Sequence, residues 1–250
     1  MPHYIKVSQT ASTNTYLSRL AATLPGGTVI YTPSQTAGRG QKGNSWESED
    51  GKNLTFSLLL KRPPVKARDQ FCLSEAAALA VIEALTAEAG EGFSVKWPND
   101  VYWQDKKVCG MLIENSLDGS DIANCIIGIG INVNQEIFLS DAPNPISLTN
   151  ITGRQHDLES LLKRVCSRIE QLAASLGDDN ARRDLHQHYM TALYRNDGKL
   201  HPFEDAAGSH FMACVAAIAP DGTLTLQHED GTLHDYLFKE VRHIIGNSVL

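Results

Sequence analysis

The chain has 250 residues, 42% of them hydrophobic and 20% charged, and its formal net charge at pH 7 is −7. This composition predicts a globular protein with a sizeable core, built as one large domain or as one domain with a small appendage. The acidic balance argues against nucleic acid as the main partner.

The start of the chain and its cysteines indicate the compartment. The opening residues, MPHYIKVSQT, lack the basic and apolar segments of a signal peptide, and no apolar run approaches the roughly 20 residues that cross a bilayer. Five scattered cysteines without a C-x-x-C pair predict buried reduced thiols, not disulfides or a zinc site. We therefore expect a cytoplasmic protein with neither a DNA nor a membrane partner.

The predicted elements begin with a helix in STNTYLSRLAATLPGG (12–27), which Ser12 or Thr13 caps and Pro25-Gly26-Gly27 ends. Strands follow at 28–32 and 53–61, with a loop between them. An alanine-rich helix is predicted at 69–90, and then come short strands at 93–97, 100–103, 107–116 and 124–134. An apolar stripe predicts a helix at 157–177, and a further helix runs from about 180 to 194.

The pattern changes after residue 195. Short apolar runs alternate with Asp221-Gly222 and Asp230-Gly231, which are hairpin signals. We therefore expect an α+β domain at 1–195, with a mixed sheet and helices, and a small all-β barrel at 196–250.

The loop after the second predicted element holds GRGQKG (38–43), a literal match to G-x-G-x-x-G. A dinucleotide site needs that motif between a strand and a helix. Here a turn and a strand follow, so this interpretation fails, and the signature G-x-x-x-x-G-K-[ST] is absent as well. Small residues around Arg39 and Lys42 fit a loop whose backbone N–H groups and cations receive an anion. A mobile surface loop with two solvated charges is the alternative.

Three further motifs follow: KWPNDVYW (96–103), DKKVCGMLIE (105–114) and GIGINVN (128–134). Taken singly, each has an ordinary structural explanation, as a turn, a solvated hairpin end or close packing of strands. Together with STN at 12–14 and AGRG at 37–40, they form an ordered set.

This ordered set resembles the biotin protein ligases, or biotin–[acetyl-CoA-carboxylase] ligases, from Ser12 to about Asn134 and more loosely beyond. The resemblance implies a class II synthetase-like catalytic domain (1–195) followed by an SH3-like β-barrel (196–250). It implies an enzyme that uses ATP and Mg²⁺ to convert biotin to biotinyl-5'-AMP, and that transfers biotin to a lysine of biotin carboxyl carrier protein. The chain resembles the monofunctional class without the N-terminal helix-turn-helix, as a monomer or a homodimer.

The resemblance also implies roles for single residues. Lys107 contacts the biotin carboxylate and the α-phosphate, because Lys106 would point to the opposite face of its strand. Arg39 holds the phosphates, and we expect Asp100 to orient or deprotonate the acceptor lysine. The biotin site is expected at Ser12, Thr13, Asn14, Gln35, Gly38, Arg39, Gly40, Gln41, Lys107, Gly110 and Gly128. The ATP and adenylate site is expected at Arg39, Lys42, Trp46, Asn99, Lys107 and Asn132, with no metal site from the protein alone.

One position departs from the family pattern. Many members carry an arginine, associated with retention of the reactive adenylate, where this chain has Gln41. The neighbouring Lys42 is a point charge that cannot reproduce a bidentate fork. We therefore expect a leakier adenylate, which trapping with hydroxylamine would detect.

His186 and His188 are two apart on a predicted helix and do not face each other, so we do not expect them to share a metal. Lys239 could reach the nucleotide or the carrier protein, although packing in the barrel is the simpler role.

Two alternative functions are a lipoate–protein ligase and a non-catalytic biotin or nucleotide sensor. The motif spacing favours biotin, and retention of Arg39 and Lys107 argues against a sensor.

Overall fold

A computed structural model describes residues 2–40, 46–139 and 144–245. Within these ranges, the first of two sheets has seven strands: β1 (His3–Lys6), β2 (Thr28–Thr32), β3 (Leu54–Lys61), β4 (Phe93–Lys96), β5 (Asp100–Trp103), β6 (Lys106–Asp118) and β7 (Asp121–Ile131). Their order is β1-β2-β3-β7-β6-β5-β4. Strands β1 and β2 run parallel and the other neighbours run antiparallel. The sheet is therefore mixed, as the sequence predicts.

Helices cover both faces of this sheet. They are α1 (Thr13–Leu20), α2 (Phe71–Ala89), α3 (Leu148–Thr152), α4 (Leu158–Ser175) and α5 (Asp179–Thr191). Helix α1 packs on one face, where Leu17 joins Ile30, Leu59 and Ile126 in a small apolar cluster. Helix α2 lies in the main core and packs against α4 and α5. The alternation of side chains along β3 explains the two clusters, because Leu58 faces one and Leu59 the other.

Helix α2 corrects one expectation. The stretch Ala67–Ala89 is long and apolar enough, by length and composition, to cross a membrane. Alanine and leucine occupy almost every face of this helix, a composition that a core helix and a membrane-spanning helix share. Polar residues interrupt the run, which is why the sequence pattern did not indicate a stretch long enough to cross a bilayer. In the structure, 61% of the 18-residue apolar window within that stretch is buried inside the protein.

The second sheet comes from the last fifth of the chain. In the described residues it contains β8 (His201–Asp205), β9 (His210–Ile218), β10 (Leu224–His228), β11 (Leu233–Tyr236) and β12 (Val241–His243). These strands pair antiparallel in the order β11-β10-β9-β8-β12. Gly222 and Gly231 have φ angles of +97° and +85° at the two predicted hairpins, a conformation that favours glycine. The predicted fold class, a mixed sheet with helices followed by a small β unit, is confirmed.

The two sheets touch at the turn between β4 and β5. The indole Nε1 of Trp97, between β4 and β5, donates a hydrogen bond of 2.9 Å to the carbonyl of Gly222 in the second sheet. The Phe238 ring lies 5.3 Å from that of Trp97. This contact sets the second sheet beside the β4–β5 turn, next to the candidate site.

The expectation that all five cysteines are buried reduced thiols needs one correction. All five cysteines are unpaired, and four are buried, but Cys214 is only partly buried. It lies on β9 of the small second sheet, where one face of a strand meets solvent.

Candidate active site

A cavity of about 430 Å³ lies between the two sheets. Strands β5, β6 and β7 contribute one wall, and β8, β10 and β12 of the second sheet contribute another. Arg39 and Lys107, which are 68 positions apart in the chain, both line this cavity.

The charged centre of the cavity is an ion pair between neighbouring strands. The ammonium Nζ of Lys107 lies 2.7 Å from Oδ1 of Asp100, and their side chains are only 32% and 19% exposed. The β5–β6 ladder creates this contact, with a register shift between Val101 and Tyr102. Lys106, the adjacent lysine, is exposed. The pair joins a fixed cation to a carboxylate that can accept a proton.

Arg39 approaches from the loop after β2 and is held by Glu114 of β6. Its Nη2 lies 3.2 Å from Oε1 of Glu114, while Oε2 of the same carboxylate accepts a 2.8 Å hydrogen bond from Asn14 Nδ2. Glu114 thereby links the loop cation to the first turn of α1. Because Arg39 is about half exposed, the ion pair contributes little stability. The ion pair instead fixes the position of the Arg39 side chain.

The N-terminus of α1 supplies neutral donors and acceptors. Ser12 is the N-cap, and its side chain accepts from the backbone N–H of Thr15, so the predicted cap is confirmed. Gln35 Oε1 accepts a 2.8 Å hydrogen bond from the backbone N–H of Thr13. Ser57 Oγ lies 2.6 Å from Asn14 Oδ1, to which it donates. The network fixes the amide of Asn14 at the edge of the cavity.

Glycines on β6 and β7 leave room for these side chains. A Cβ added to Gly128 would overlap the Asn14 side-chain oxygen, and one added to Gly130 would overlap the Trp46 ring. Trp46 therefore packs directly on the strand backbone while it lines the cavity. Its Nε1 is buried without a hydrogen-bond partner among the described residues.

Asn99 and Asn132 are placed differently. Asn99 lines the cavity, and its Nδ2 donates to the carbonyl of Met111. Asn132 is buried and does not line the cavity: its Nδ2 donates a 3.4 Å hydrogen bond to the carbonyl of Lys107. Its Oδ1 has no partner in the described part of the chain. Asn132 thus supports the strand that carries Lys107.

The cavity gathers most of the residues that the sequence singles out. The predicted residues that line it are Ser12, Asn14, Gln35, Arg39, Gly40, Trp46, Asn99, Asp100, Lys107, Gly110 and Gly128, and Lys239 lines it as well. Thr13, Gly38 and Asn132 are not among the lining residues. Gln41 and Lys42 lie outside the described residues.

Several residues at the cavity or in contact with its lining were not predicted. Glu114, which contacts Arg39 and Asn14 without lining the cavity, stands within a quoted motif but has no predicted role. Lys96 lines the cavity and opens another motif. Arg242 and His243 come from β12, in the second sheet. No short sequence signal marks these residues, because their importance depends on which distant segments they face.

Burial changes the acid–base behaviour of two of these groups. Burial, opposed by the charge of Asp100, lowers the pKa of Lys96 from its usual range. Burial, reinforced by the positive charges of Lys96, Arg195 and His201, lowers the pKa of His243 to about 3. His243 is therefore a neutral imidazole at pH 7, and its Nδ1 is buried without a partner among the described residues.

Comparisons with known proteins agree on one family. Residues 7–132 match the biotin/lipoate A/B protein ligase family. The biotin–[acetyl-CoA-carboxylase] ligase of Paracoccus denitrificans is 33% identical over 182 residues, which cover 68% of this chain and 72% of that protein. The bifunctional ligase/repressor BirA of Bacillus spizizenii is 35% identical over 146 residues, which cover 56% of this chain. This match spans only 44% of the length of that relative.

A solved structure extends the likeness to nearly the whole chain. The biotin protein ligase from Aquifex aeolicus, solved in complex with biotin and ATP, has a TM-score of 0.80 and 27% sequence identity. The alignment covers 98% of this chain and 100% of that one. It therefore includes both sheets and the cavity between them.

Proposed function

The chain belongs to the biotin/lipoate A/B protein ligase family, and we propose that it activates biotin with ATP as biotinyl-5'-AMP and transfers it to a lysine of a carrier protein. The observation that carries this proposal is the meeting of Arg39 and Lys107 at one cavity. That cavity also holds a set of neutral hydrogen-bonding groups at the N-terminus of α1. The two halves suit the two ends of an acyl adenylate.

The neutral half is proposed to bind the ureido ring of biotin. Asn14, Ser12 and Gln35 line this half of the cavity, and the contacts of Asn14 with Ser57 and Glu114 fix its orientation. A buried set of fixed polar groups discriminates against a ligand that leaves them unpaired. Lipoate has no ureido group, so this half favours biotin over lipoate.

The charged half is proposed to catalyse adenylate formation. A carboxylate must attack a negatively charged α-phosphate, and two like charges at ~4 Å repel by about 4 kcal/mol at an effective dielectric near 20. Left unrelieved, this repulsion costs roughly a thousandfold in rate. Lys107 and Arg39 provide fixed positive charge that relieves it in the transition state. Lys107 is oriented for this by Asp100, 2.7 Å away.

Mg²⁺ is proposed to enter with ATP, where it would neutralise phosphate charge. The described residues contain no group of three His, Cys, Asp or Glu side chains that could hold a metal. Mg²⁺ prefers oxygen ligands, but the orphaned Oδ1 of Asn132 belongs to a residue that does not line the cavity. The phosphates of ATP would therefore supply the ligands of the ion.

Asp100 is proposed to act in the second step. A free lysine has a pKa of about 10.4 and must lose its proton before it attacks the mixed anhydride. Asp100 lines the cavity and is mostly buried beside Lys107. Its carboxylate can orient the incoming ammonium and accept its proton.

The setting of the enzyme is also proposed. We place the boundary of the catalytic domain at about residue 195, which is consistent with the start of β8 at His201. The acceptor is proposed to be the biotin carboxyl carrier protein of a carboxylase, because the Paracoccus relative is a biotin–[acetyl-CoA-carboxylase] ligase. We propose a cytoplasmic location, where this carrier and ATP are available.

The direct test of the proposed function is the transfer of biotin to a carrier protein. The purified chain is incubated with ATP, Mg²⁺, an apo carrier domain, and either biotin or lipoate. We expect the mass of the carrier to rise by one biotinyl group, and Lys107→Gln to abolish this change. An increase with lipoate but not with biotin would assign the chain to the lipoate branch of the family.

A further inference from the structure

Lys96 is a cation at the cavity that has no role in the mechanism proposed above. It ends β4 and pairs in register with Asp100 across the turn. Its side chain lines the cavity, and its Nζ lies 5.0 Å from the centre of the Tyr102 ring. In the described part of the chain, its ammonium has no hydrogen-bond or ion-pair acceptor.

An ammonium that is partly withdrawn from water and has no close acceptor is energetically costly. Its low pKa reflects that cost, since burial is the main cause of the shift. The nearby carboxylate of Asp100 opposes this shift, but its Oδ1 is already 2.7 Å from Lys107. An anion bound in the cavity would supply both the opposite charge and charge-assisted hydrogen bonds.

The position of Lys96 indicates which part of the ligand it meets. Gly128 lies on β7, Lys107 on β6, Asp100 on β5 and Lys96 on β4, and these four strands are successive neighbours in the sheet. Lys96 is therefore on the opposite side of Lys107 from the proposed biotin half. An ATP whose α-phosphate meets Lys107 can extend its other phosphates in this direction.

The facing wall carries a cation as well. Arg242 of β12 lines the cavity, where Glu204 holds it in a 2.7 Å ion pair, and its charge acts on Lys96. His243, the next residue of β12, is neutral and adds no charge to this wall. An end of a cavity with these cations on two sheets suits a group that carries several negative charges.

We propose that Lys96 binds the β- and γ-phosphates of ATP and the departing pyrophosphate; this inference rests on the proposed function. In that reaction a carboxylate oxygen of biotin bonds to the α-phosphorus. The bond from the α-phosphorus to the bridging oxygen breaks, and its electron pair leaves with pyrophosphate. Lys96 stabilises the charge that develops on this leaving group.

The test compares Lys96→Gln with Lys106→Gln in the full chain. Lys106 is an exposed lysine of β6, so its variant removes the same charge away from the cavity. Calorimetry measures binding of inorganic pyrophosphate with Mg²⁺, and separate assays measure biotin affinity and transfer from preformed biotinyl-AMP. The last reaction contains no polyphosphate, so it separates the two half-reactions.

We expect Lys96→Gln to weaken pyrophosphate binding and to raise the KM for ATP about tenfold, as for loss of one charge-assisted hydrogen bond. Biotin affinity and transfer from the preformed adenylate stay within about twofold of the unmodified chain, and Lys96→Arg retains most of the pyrophosphate affinity. Lys106→Gln changes none of these quantities.

Two results would overturn the inference. One is unchanged pyrophosphate affinity in Lys96→Gln. The other is an equal loss in transfer from preformed biotinyl-AMP, which would mean that Lys96 acts through Asp100 on the acceptor lysine. If the unmodified chain binds pyrophosphate through Lys96 but does not bind biotin, the proposed function fails while the polyphosphate site stands.

Discussion

The Nζ atom of Lys107 lies 2.7 Å from Oδ1 of Asp100, on the neighbouring strand of the sheet. Both side chains are largely withdrawn from solvent at the cavity. This pair gives the two proposed half-reactions a shared centre, because the cation serves the phosphate step and the carboxylate serves the amine step. Substitutions at the two positions are therefore expected to separate the half-reactions.

Asp100→Asn should slow biotin transfer more than adenylate formation. The amide retains the size of the carboxylate but cannot accept the proton of the acceptor lysine, and a positioned base typically contributes roughly 10²- to 10⁴-fold. Single-turnover transfer from preformed biotinyl-AMP measures the second step, and pyrophosphate–ATP exchange measures the first. Asp118→Asn, at an exposed carboxylate at the far end of β6, is the matched control. Equal slowing of both steps would remove Asp100 from this role.

Gly128→Ala should weaken biotin binding strongly. A Cβ at this position would overlap the Asn14 side-chain oxygen, which Ser57 holds in place. The amide must then rotate out of the biotin half, and we expect a loss of at least tenfold in biotin affinity, or about 1.4 kcal/mol. Calorimetric titration with biotin measures this loss.

Gly26→Ala is the control for that substitution, since its new Cβ would meet Lys61 Cβ at an ordinary 3.5 Å. It should leave biotin affinity unchanged. Normal biotin affinity in Gly128→Ala would show that Asn14 does not help to form the biotin half.

Glu114→Ala should weaken biotin binding through Asn14. The carboxylate accepts a 2.8 Å hydrogen bond from Asn14 Nδ2, whereas its ion pair with Arg39 is about half exposed and contributes little energy. We expect a loss of roughly fivefold in biotin affinity, equivalent to about 1 kcal/mol.

Double-mutant cycles identify the route of this effect. The cycle of Glu114→Ala with Asn14→Ala should be non-additive, whereas the cycle with Arg39→Ala should be nearly additive for biotin binding. The reverse pattern would mean that Glu114 serves biotin through Arg39 instead.

His243 should make the fold less stable in acid. Its pKa is about 3 in the folded protein, against about 6.5 in an unfolded chain. Between these values the unfolded chain binds a proton that the folded protein rejects, so stability is lost as the pH falls below about 6.5. By pH 5 the loss is about 2 kcal/mol.

The measurement compares the free energy of unfolding of the unmodified chain with that of His243→Phe at pH 7.5 and pH 5. Phenylalanine keeps the ring contacts with Phe203 and Tyr194 but does not titrate. The difference between the two proteins should shift in favour of His243→Phe at the lower pH. An identical difference at both pH values would contradict a buried neutral imidazole.

The sequence predicts the parts of this protein that depend on local pattern. The cap at Ser12, the long helices and the hairpins at Gly222 and Gly231 all follow from periodicity and turn chemistry. Strand β1 was missed, because His3–Lys6 is short and exposed at both ends and so lacks a clear alternation. Helix α3 was missed for a similar reason, since five residues carry little periodicity.

The sequence likewise predicts only part of the candidate site. Motif resemblance places Arg39, Asp100 and Lys107 together, and the structure brings all three to one cavity. It does not indicate that Glu114 holds Arg39, nor that Asn132 faces the backbone of Lys107 instead of the cavity. These relations depend on strand register and on side-chain direction, which short motifs do not encode.

The most direct test of the account is biotin-dependent exchange of labelled pyrophosphate into ATP, with lipoate in a parallel reaction. The account predicts exchange with biotin, little with lipoate, and a loss of about a thousandfold in Lys107→Gln, the factor set by unrelieved charge repulsion. Absence of exchange with biotin, or full exchange in Lys107→Gln, would contradict the claim that Arg39 and Lys107 form the centre of an adenylating site.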